Sequence, residues 1–255
     1  MCILFIAVKQ HPQYPLIIAA NRDEFHQRPT APSHFWPTHP QMLAGKDLQA
    51  GGSWMGITRA GRLSALTNVR DPQTINPDAI SRGELVTQYL STEVEQAQYL
   101  TTLRAHKAAY NGYNLLFGEW QNLWVYNNHS DTVAQLTPGV YGLSNADLNS
   151  PWPKINQGVK QLKQHCQQTG PIHPDTLFDI LLNQNQASDD LLPETGIPIE
   201  WERKLSSIFI TSSDYGTRSA TLLLVDRSHQ VIWLEHSFNP AGENTQQQRF
   251  TFSLN

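Results

Sequence analysis

The chain is poor in charge and poorer still in cysteine: charged residues make up 16% of its 255 positions, and its two thiols are Cys2 and Cys166. Neither thiol has the close Cys or His spacing of a structural zinc site, two are too few for a disulfide framework, and both suit a reducing compartment. There is no run of Lys or Arg and the net charge is −4, so nucleic acid has no electrostatic footprint to bind. No apolar stretch approaches the roughly 18 residues that span a bilayer. The opening MCILFIAVKQ has no basic residue ahead of its short apolar run, which predicts a strand and not a signal peptide. These absences point to a cytoplasmic protein whose partner is a small molecule.

Cofactor motifs are missing too. The sequence has no phosphate loop, no G-x-G-x-x-G and no H-E-x-x-H, and its ten histidines show no paired ligand spacing. No metal or cofactor is expected. Gly142-Leu143-Ser144-Asn145-Ala146 approaches a G-x-S-x-G elbow but lacks the last glycine and runs into a proline-bearing loop, which excludes a serine hydrolase of that type.

What is present is a core. Apolar residues reach 39%, enough for one domain over residues 1–255. Short β-rich apolar runs at 2–8, 16–20, 54–58 and 63–67 predict two hairpins. Between them, residues 28–40 hold four prolines with His34, Phe35 and Trp36, a composition that predicts a long extended loop at a site mouth. Helical spacing over 81–106, interrupted near Ser91, predicts two helices, the first boxed by Ser81 and Glu84. A strand meander follows over 113–144. Helices resume over 155–167 and 176–183, after Pro153 and Pro174. Strands at 206–211, 220–226, 231–236 and 250–253 close the chain. Strand blocks bracketing helices argue an α+β fold with antiparallel sheets covered by helices.

Position singles out Cys2. If Met1 is removed, one residue bears both a thiol and a free α-amine, and an amine with pKa near 7.7–8.0 can take the proton of a thiol near 8.5. Cysteine also fills buried strand edges without any chemistry, and both readings stand at this point. The block Asn21-Arg22-Asp23-Glu24 closes the second apolar run. Pairing of the first two strands through the turn at residues 11–15 brings it beside Cys2. Asp23 is then placed to anchor the amine, and Arg22 either lowers the thiol pKa or pairs with Glu24 or substrate. Cys166, on a predicted helix, is read as structural.

The opening Met-Cys, Asn21-Arg22-Asp23-Glu24, Gly51-Gly52-Ser53-Trp54-Met55-Gly56, Leu66-Thr67-Asn68-Val69-Arg70, Gly142-Leu143-Ser144-Asn145, Pro151-Trp152-Pro153-Lys154, Ser206-Ser207-Ile208-Phe209 and Tyr215-Gly216-Thr217-Arg218-Ser219 resemble, in order and nearly end to end, the NRDE family, also called the Transport and Golgi organization protein 2 family. That family is distantly similar to cysteine N-terminal-nucleophile (Ntn) hydrolases such as penicillin V acylase and conjugated bile salt hydrolase. The resemblance implies an αββα four-layer sandwich and cleavage of non-peptide C–N amides, or acyl transfer from an amide or thioester. It makes Cys2 the nucleophile, Asp23 the acid holding the amine, Asn145 an oxyanion donor and Arg218 a late active-site arginine. Those acylases carry an arginine immediately before the strand-end asparagine, where this chain has Ala20, the arginine following as Arg22. Asn21, Trp54, Asn68 and Trp152 are candidate substrate contacts, Asn68 as a second oxyanion donor and the tryptophans as walls of an acyl pocket. The resemblance also brings a second reading, a non-catalytic carrier of haem or of acyl-CoA and lipid, with Cys2 or a loop histidine such as His34 as axial ligand.

Overall fold

The computed structural model describes residues 2–168, 170 and 172–255, so Met1, whose removal the Cys2 chemistry invokes, lies outside the described residues. Thirteen strands fall into two antiparallel sheets among those residues. Sheet A has the order β10 (Gly139–Leu143), β1 (Cys2–Val8), β2 (Leu16–Phe25), β11 (Tyr215–Val225), β12 (Gln230–Phe238) and β13 (Asn244–Ser253). Sheet B runs β3 (Thr30–Trp36), β4 (His39–Asp47), β5 (Met55–Thr58), β6 (Arg62–Asn68), β7 (Tyr113–Glu119), β8 (Asn122–Asn127) and β9 (Thr132–Gln135).

The run Cys2–Val8 is apolar on both faces because both faces are covered. Leu4 and Ile6 enter the core between the sheets with Ile18, Leu43, Ile57 and Leu116. Ile3 and Phe5 face outward, under α3 (Pro153–Cys166) and α4 (Pro174–Leu181), with Ile155, Leu162 and Leu177. Over sheet B, α1 (Gly83–Ser91) and α2 (Gln96–Ala105) bury Leu85, Tyr89, Tyr99 and Leu103 on Tyr113, Phe117 and Tyr126. Three cores separate four layers, the αββα sandwich of Ntn hydrolases that the resemblance implies. No helix among the described residues is long and apolar enough to cross a membrane.

Several expectations need correction. Residues 28–40 are no loop: they contain all of β3 and the start of β4, and β3 is the edge of sheet B, where a missing N–H costs no ladder bond. The β3–β4 pairing slips between Ala31 and His34, around Pro32. The meander ends at β9, since β10 crosses to sheet A and pairs with β1. No capping box forms at α1. Its N-cap is Arg82, and the Glu84 side chain accepts instead from the Tyr110 hydroxyl at 2.5 Å. Residues 206–211 are not a strand. Ile208, Phe209 and Ile210 are buried as an irregular segment between α5 (Ile199–Leu205), a seven-residue helix that periodicity did not reveal, and β11, which begins earlier than expected.

The polar block 21–24 continues β2 instead of ending it, because β11 pairs with all four residues and β1 with Asn21 and Arg22. Its backbone is therefore satisfied by ladders whatever its side chains are.

Candidate active site

In the β1–β2 register Cys2 lies opposite Arg22, so Asp23 falls one residue beyond the end of β1. On the other side, β10 pairs with β1 up to Leu4 opposite Leu143. The two residues that follow, Ser144 and Asn145, arrive beside the same terminus, and the Ser144 hydroxyl donates to the Cys2 carbonyl at 3.1 Å. The Asp23 carboxylate accepts from Thr217 of β11 at 2.7 Å.

Sheet B is tied to this point. The Thr67 hydroxyl donates to the Ser144 carbonyl at 2.5 Å, the Asn114 amide to the same oxygen at 3.2 Å, and the Asn145 amide to the Asn68 carbonyl at 3.0 Å. These buried groups pin the ends of β6, β7 and β10 together.

Cys2 opens on a cavity of about 400 Å³ lined among others by Arg22, Asp23, Glu24, Trp54, Asn68 and Arg82. A second cavity of about 410 Å³ shares Asn68, Arg82 and Asn111 with it, and its other walls include Phe25, Val69, Ile75, Ile197, Trp201 and Leu205. One lobe is polar and holds the thiol. Its neighbour is apolar.

Among the residues read from sequence, Cys2, Arg22, Asp23, Trp54 and Asn68 share the first lobe. Arg22 donates to Thr30 at 3.0 Å and its guanidinium lies 4.4 Å from the centroid of the Trp54 ring. That ring needs Gly45 beneath it, since a Cβ there would sit 2.2 Å from its edge. Asn145 is 1% exposed and stands one layer behind Asn68.

Asn21, Trp152 and Arg218 lie outside this cavity. The Asn21 amide faces the helix layer and donates to the carbonyls of Leu181 and Ile208, at 2.8 and 2.9 Å. Trp152 is the N-cap residue of α3 and stacks under Arg70, whose guanidinium is 4.7 Å from its ring centroid. Arg218 clamps the β2–β3 turn, one nitrogen donating to the carbonyls of Phe25, His26 and Arg28 at 3.0–3.1 Å. His34 belongs to β3 and does not line the Cys2 cavity, whose described walls contain no histidine. No cluster of three or more His, Cys, Asp or Glu among the described residues is arranged to hold a metal.

Burial raises the Cys2 thiol above its ordinary range. The positive amino terminus, Arg22 and the Asp23 backbone N–H oppose that rise, and the Asp23 charge adds to it. Burial likewise raises the Asp23 carboxyl against the amino terminus, Lys154 and Thr217. A thiol raised in this way is protonated near neutrality.

Three charged residues at this end carried no assignment in the sequence reading. Lys154, on the first turn of α3, is 3% exposed and held down to about 7, mainly by burial and by the Arg70 charge, while Asp23, Glu202 and Cys2 act in the opposite sense. Arg70 and Glu202 of α5 form a buried ion pair at 2.5 Å, with side chains 5% and 4% exposed. Arg70 and Lys154 sit inside the quoted motif blocks, which was the signal available for them.

The model of the family described as Transport and Golgi organisation 2 matches residues 1–240. The Transport and Golgi organization 2 homolog of Mus musculus is 34% identical over 257 residues, 93% of each chain, and the Transport and Golgi organization protein 2 of Drosophila melanogaster is 27% identical over 274 residues, 95% of each. Among solved structures, the Caenorhabditis elegans ortholog of N-acylethanolamine-hydrolyzing acid amidase superposes with a TM-score of 0.51 at 9% identity, over 88% of this chain and 92% of that one. At that identity the likeness is one of fold.

Proposed function

The chain belongs to the Transport and Golgi organisation 2 family, and from that membership and the geometry around Cys2 we propose that it is an Ntn-type amidohydrolase or acyltransferase acting on a non-peptide amide or thioester. The observation that carries this reading is the placement of Cys2 at the start of β1, opposite Arg22 and one residue short of Asp23, with its thiol lining a cavity of small-ligand size.

The α-amine exposed by loss of Met1 accepts the thiol proton, directly or through water, and Asp23 holds the resulting ammonium. The sulfur attacks the acyl carbonyl, forming the C–S bond. Charge develops on the carbonyl oxygen, where Asn68 on the cavity wall supplies an amide donor, and Asn145 behind it holds the Asn68 carbonyl in place. Collapse breaks the C–N bond as the ammonium returns the proton to the leaving amine. Water, activated by the same amine, then hydrolyses the thioester and restores the thiol; an acceptor nucleophile in its place gives acyl transfer. Arg22 stabilises the thiolate that forms transiently.

The test is turnover of a panel of N-acyl amides and thioesters by wild type and Cys2→Ala. Loss of turnover in a variant with unchanged thermal unfolding supports the proposal, and unchanged turnover overturns it. Intact mass after brief alkylation reads the thiol separately: Cys166 is 3% exposed, whereas Cys2 is half-buried and lines the cavity, so the mass added near neutrality is expected on Cys2.

A further inference from the structure

Six charged side chains line the lobe that contains Cys2: Arg22, Arg28, Arg82, Asp23, Glu24 and Asp47. Arg28 satisfies two of the carboxylates, at 2.7 Å from Asp47 and 4.0 Å from Glu24. Asp23 is held by Thr217 and belongs to the amine. Two guanidinium groups remain that have no carboxylate within ion-pair distance among the described residues, Arg22 and Arg82.

Arg22 is accounted for by the thiol it faces and by Trp54. Arg82 is not. It flanks α1, half-buried, and a single nitrogen is engaged, Nη1 donating to the Gly112 carbonyl at 2.9 Å. Among the described residues its Nε and Nη2 have no hydrogen-bond partner and are not sealed from solvent, so they border open space. The open space is the junction of the two lobes, since Arg82 lines both. A planar fork of free donors at that point matches a carboxylate or a phosphate. The apolar lobe beyond it, walled by Phe25, Ile75, Trp201 and Leu205, suits an uncharged substituent.

We propose that Arg82 is a specificity-determining residue that receives an anionic group of the substrate at the junction of the two lobes. This rests on the amidohydrolase reading and narrows it to an amide or thioester with two distinct ends. One is apolar and fills the second lobe; the other carries a carboxylate or phosphate that Arg82 receives.

The experiment is calorimetric binding of three probes to Cys2→Ala, which cannot turn them over: N-octanoylglycine, its neutral counterpart N-octanoylglycinamide, and N-octanoyl phosphoethanolamine. At least one anionic probe is expected to bind roughly tenfold or more tighter than the neutral one, the scale of one charge-assisted pair. Whether that probe is the carboxylate or the phosphate identifies the source of the charge. Adding Arg82→Gln is expected to bring the ratio to near one with neutral-probe affinity unchanged, which also controls for folding, and Arg82→Lys to keep part of the preference. Equal binding of charged and neutral probes, a preference that survives Arg82→Gln, or no binding of any probe overturns the proposal. Because the thiol is absent from this assay, failure of wild type to turn over any amide would overturn the catalytic reading while leaving the Arg82 preference measurable.

Discussion

The helices over sheet B bury rings and aliphatic chains, Leu85, Val86, Tyr89, Tyr99 and Leu103 among them, whereas the α3–α5 side also buries charge, in Lys154 and in the Arg70–Glu202 pair. Both regions are buried, but the enclosed charges of the second act on Cys2 and Asp23, as Lys154 does. An apolar layer is held mainly by transfer free energy, which is insensitive to pH. A layer with enclosed charges stores electrostatic energy, and its stability depends on which of them is protonated.

The largest expected effect comes from breaking the charged side. Glu202→Ala leaves the Arg70 guanidinium enclosed without its partner and frees the Thr195 backbone N–H that Glu202 accepts from. Urea unfolding should show a loss of about 3–5 kcal/mol, and the double change Arg70→Met/Glu202→Met a much smaller one. If the single variant were as stable as wild type, the contrast between the layers would collapse.

Lys154→Met sharpens it through pH. Lys154 is held down to about 7 in the folded protein, against about 10.4 in the unfolded chain. Between those values the unfolded state binds more protons, so this residue makes stability rise with pH; below about 7 it carries its full burial penalty. The methionine variant should be more stable than wild type near pH 6, by roughly 2–4 kcal/mol, and the gap should close as pH climbs from about 7 to about 10. A gap that does not vary with pH would place the charge of Lys154 elsewhere.

The smallest effect belongs to the apolar side. The Tyr113 hydroxyl is buried without a hydrogen-bond partner among the described residues, so Tyr113→Phe should leave thermal stability equal or raise it by about 1 kcal/mol, with no change in its pH dependence.

What was legible in the sequence follows the same division. Alternation and turn chemistry suffice for the β1–β2 hairpin, and a register that closes on Cys2 brings Arg22 and Asp23 with it. Strand ends were less legible. Polarity at residues 21–24 reads as a turn, yet Asn21 is buried because two carbonyls from distant segments, Leu181 and Ile208, satisfy its amide. The prolines of residues 28–40 imply a loop unless the strand is known to be an edge, which is a property of the sheet and not of the segment. Ile208, Phe209 and Ile210 have strand composition because they are buried, though no ladder takes them. Arg82 and Lys154 look like solvated positions near helix starts. Their environments come from Gly112, Asp23 and Arg70, contacts that no local window contains.

The position of β2 between β1 and β11 also dictates an order of events during synthesis. The hydrogen bond from Thr217 to Asp23 joins residues 194 apart, and the one from Ser144 to Cys2 joins residues 142 apart. The first hairpin leaves the ribosome as two apolar strands with both outer edges open, and neither β10 nor β11 exists to cover them until most of the chain has been made. Such long-range pairing folds slowly and leaves unpaired edges available to other chains in the meantime. The polar block at the end of β2 therefore has a second use, as charge on an open edge that discourages wrong partners until β11 arrives.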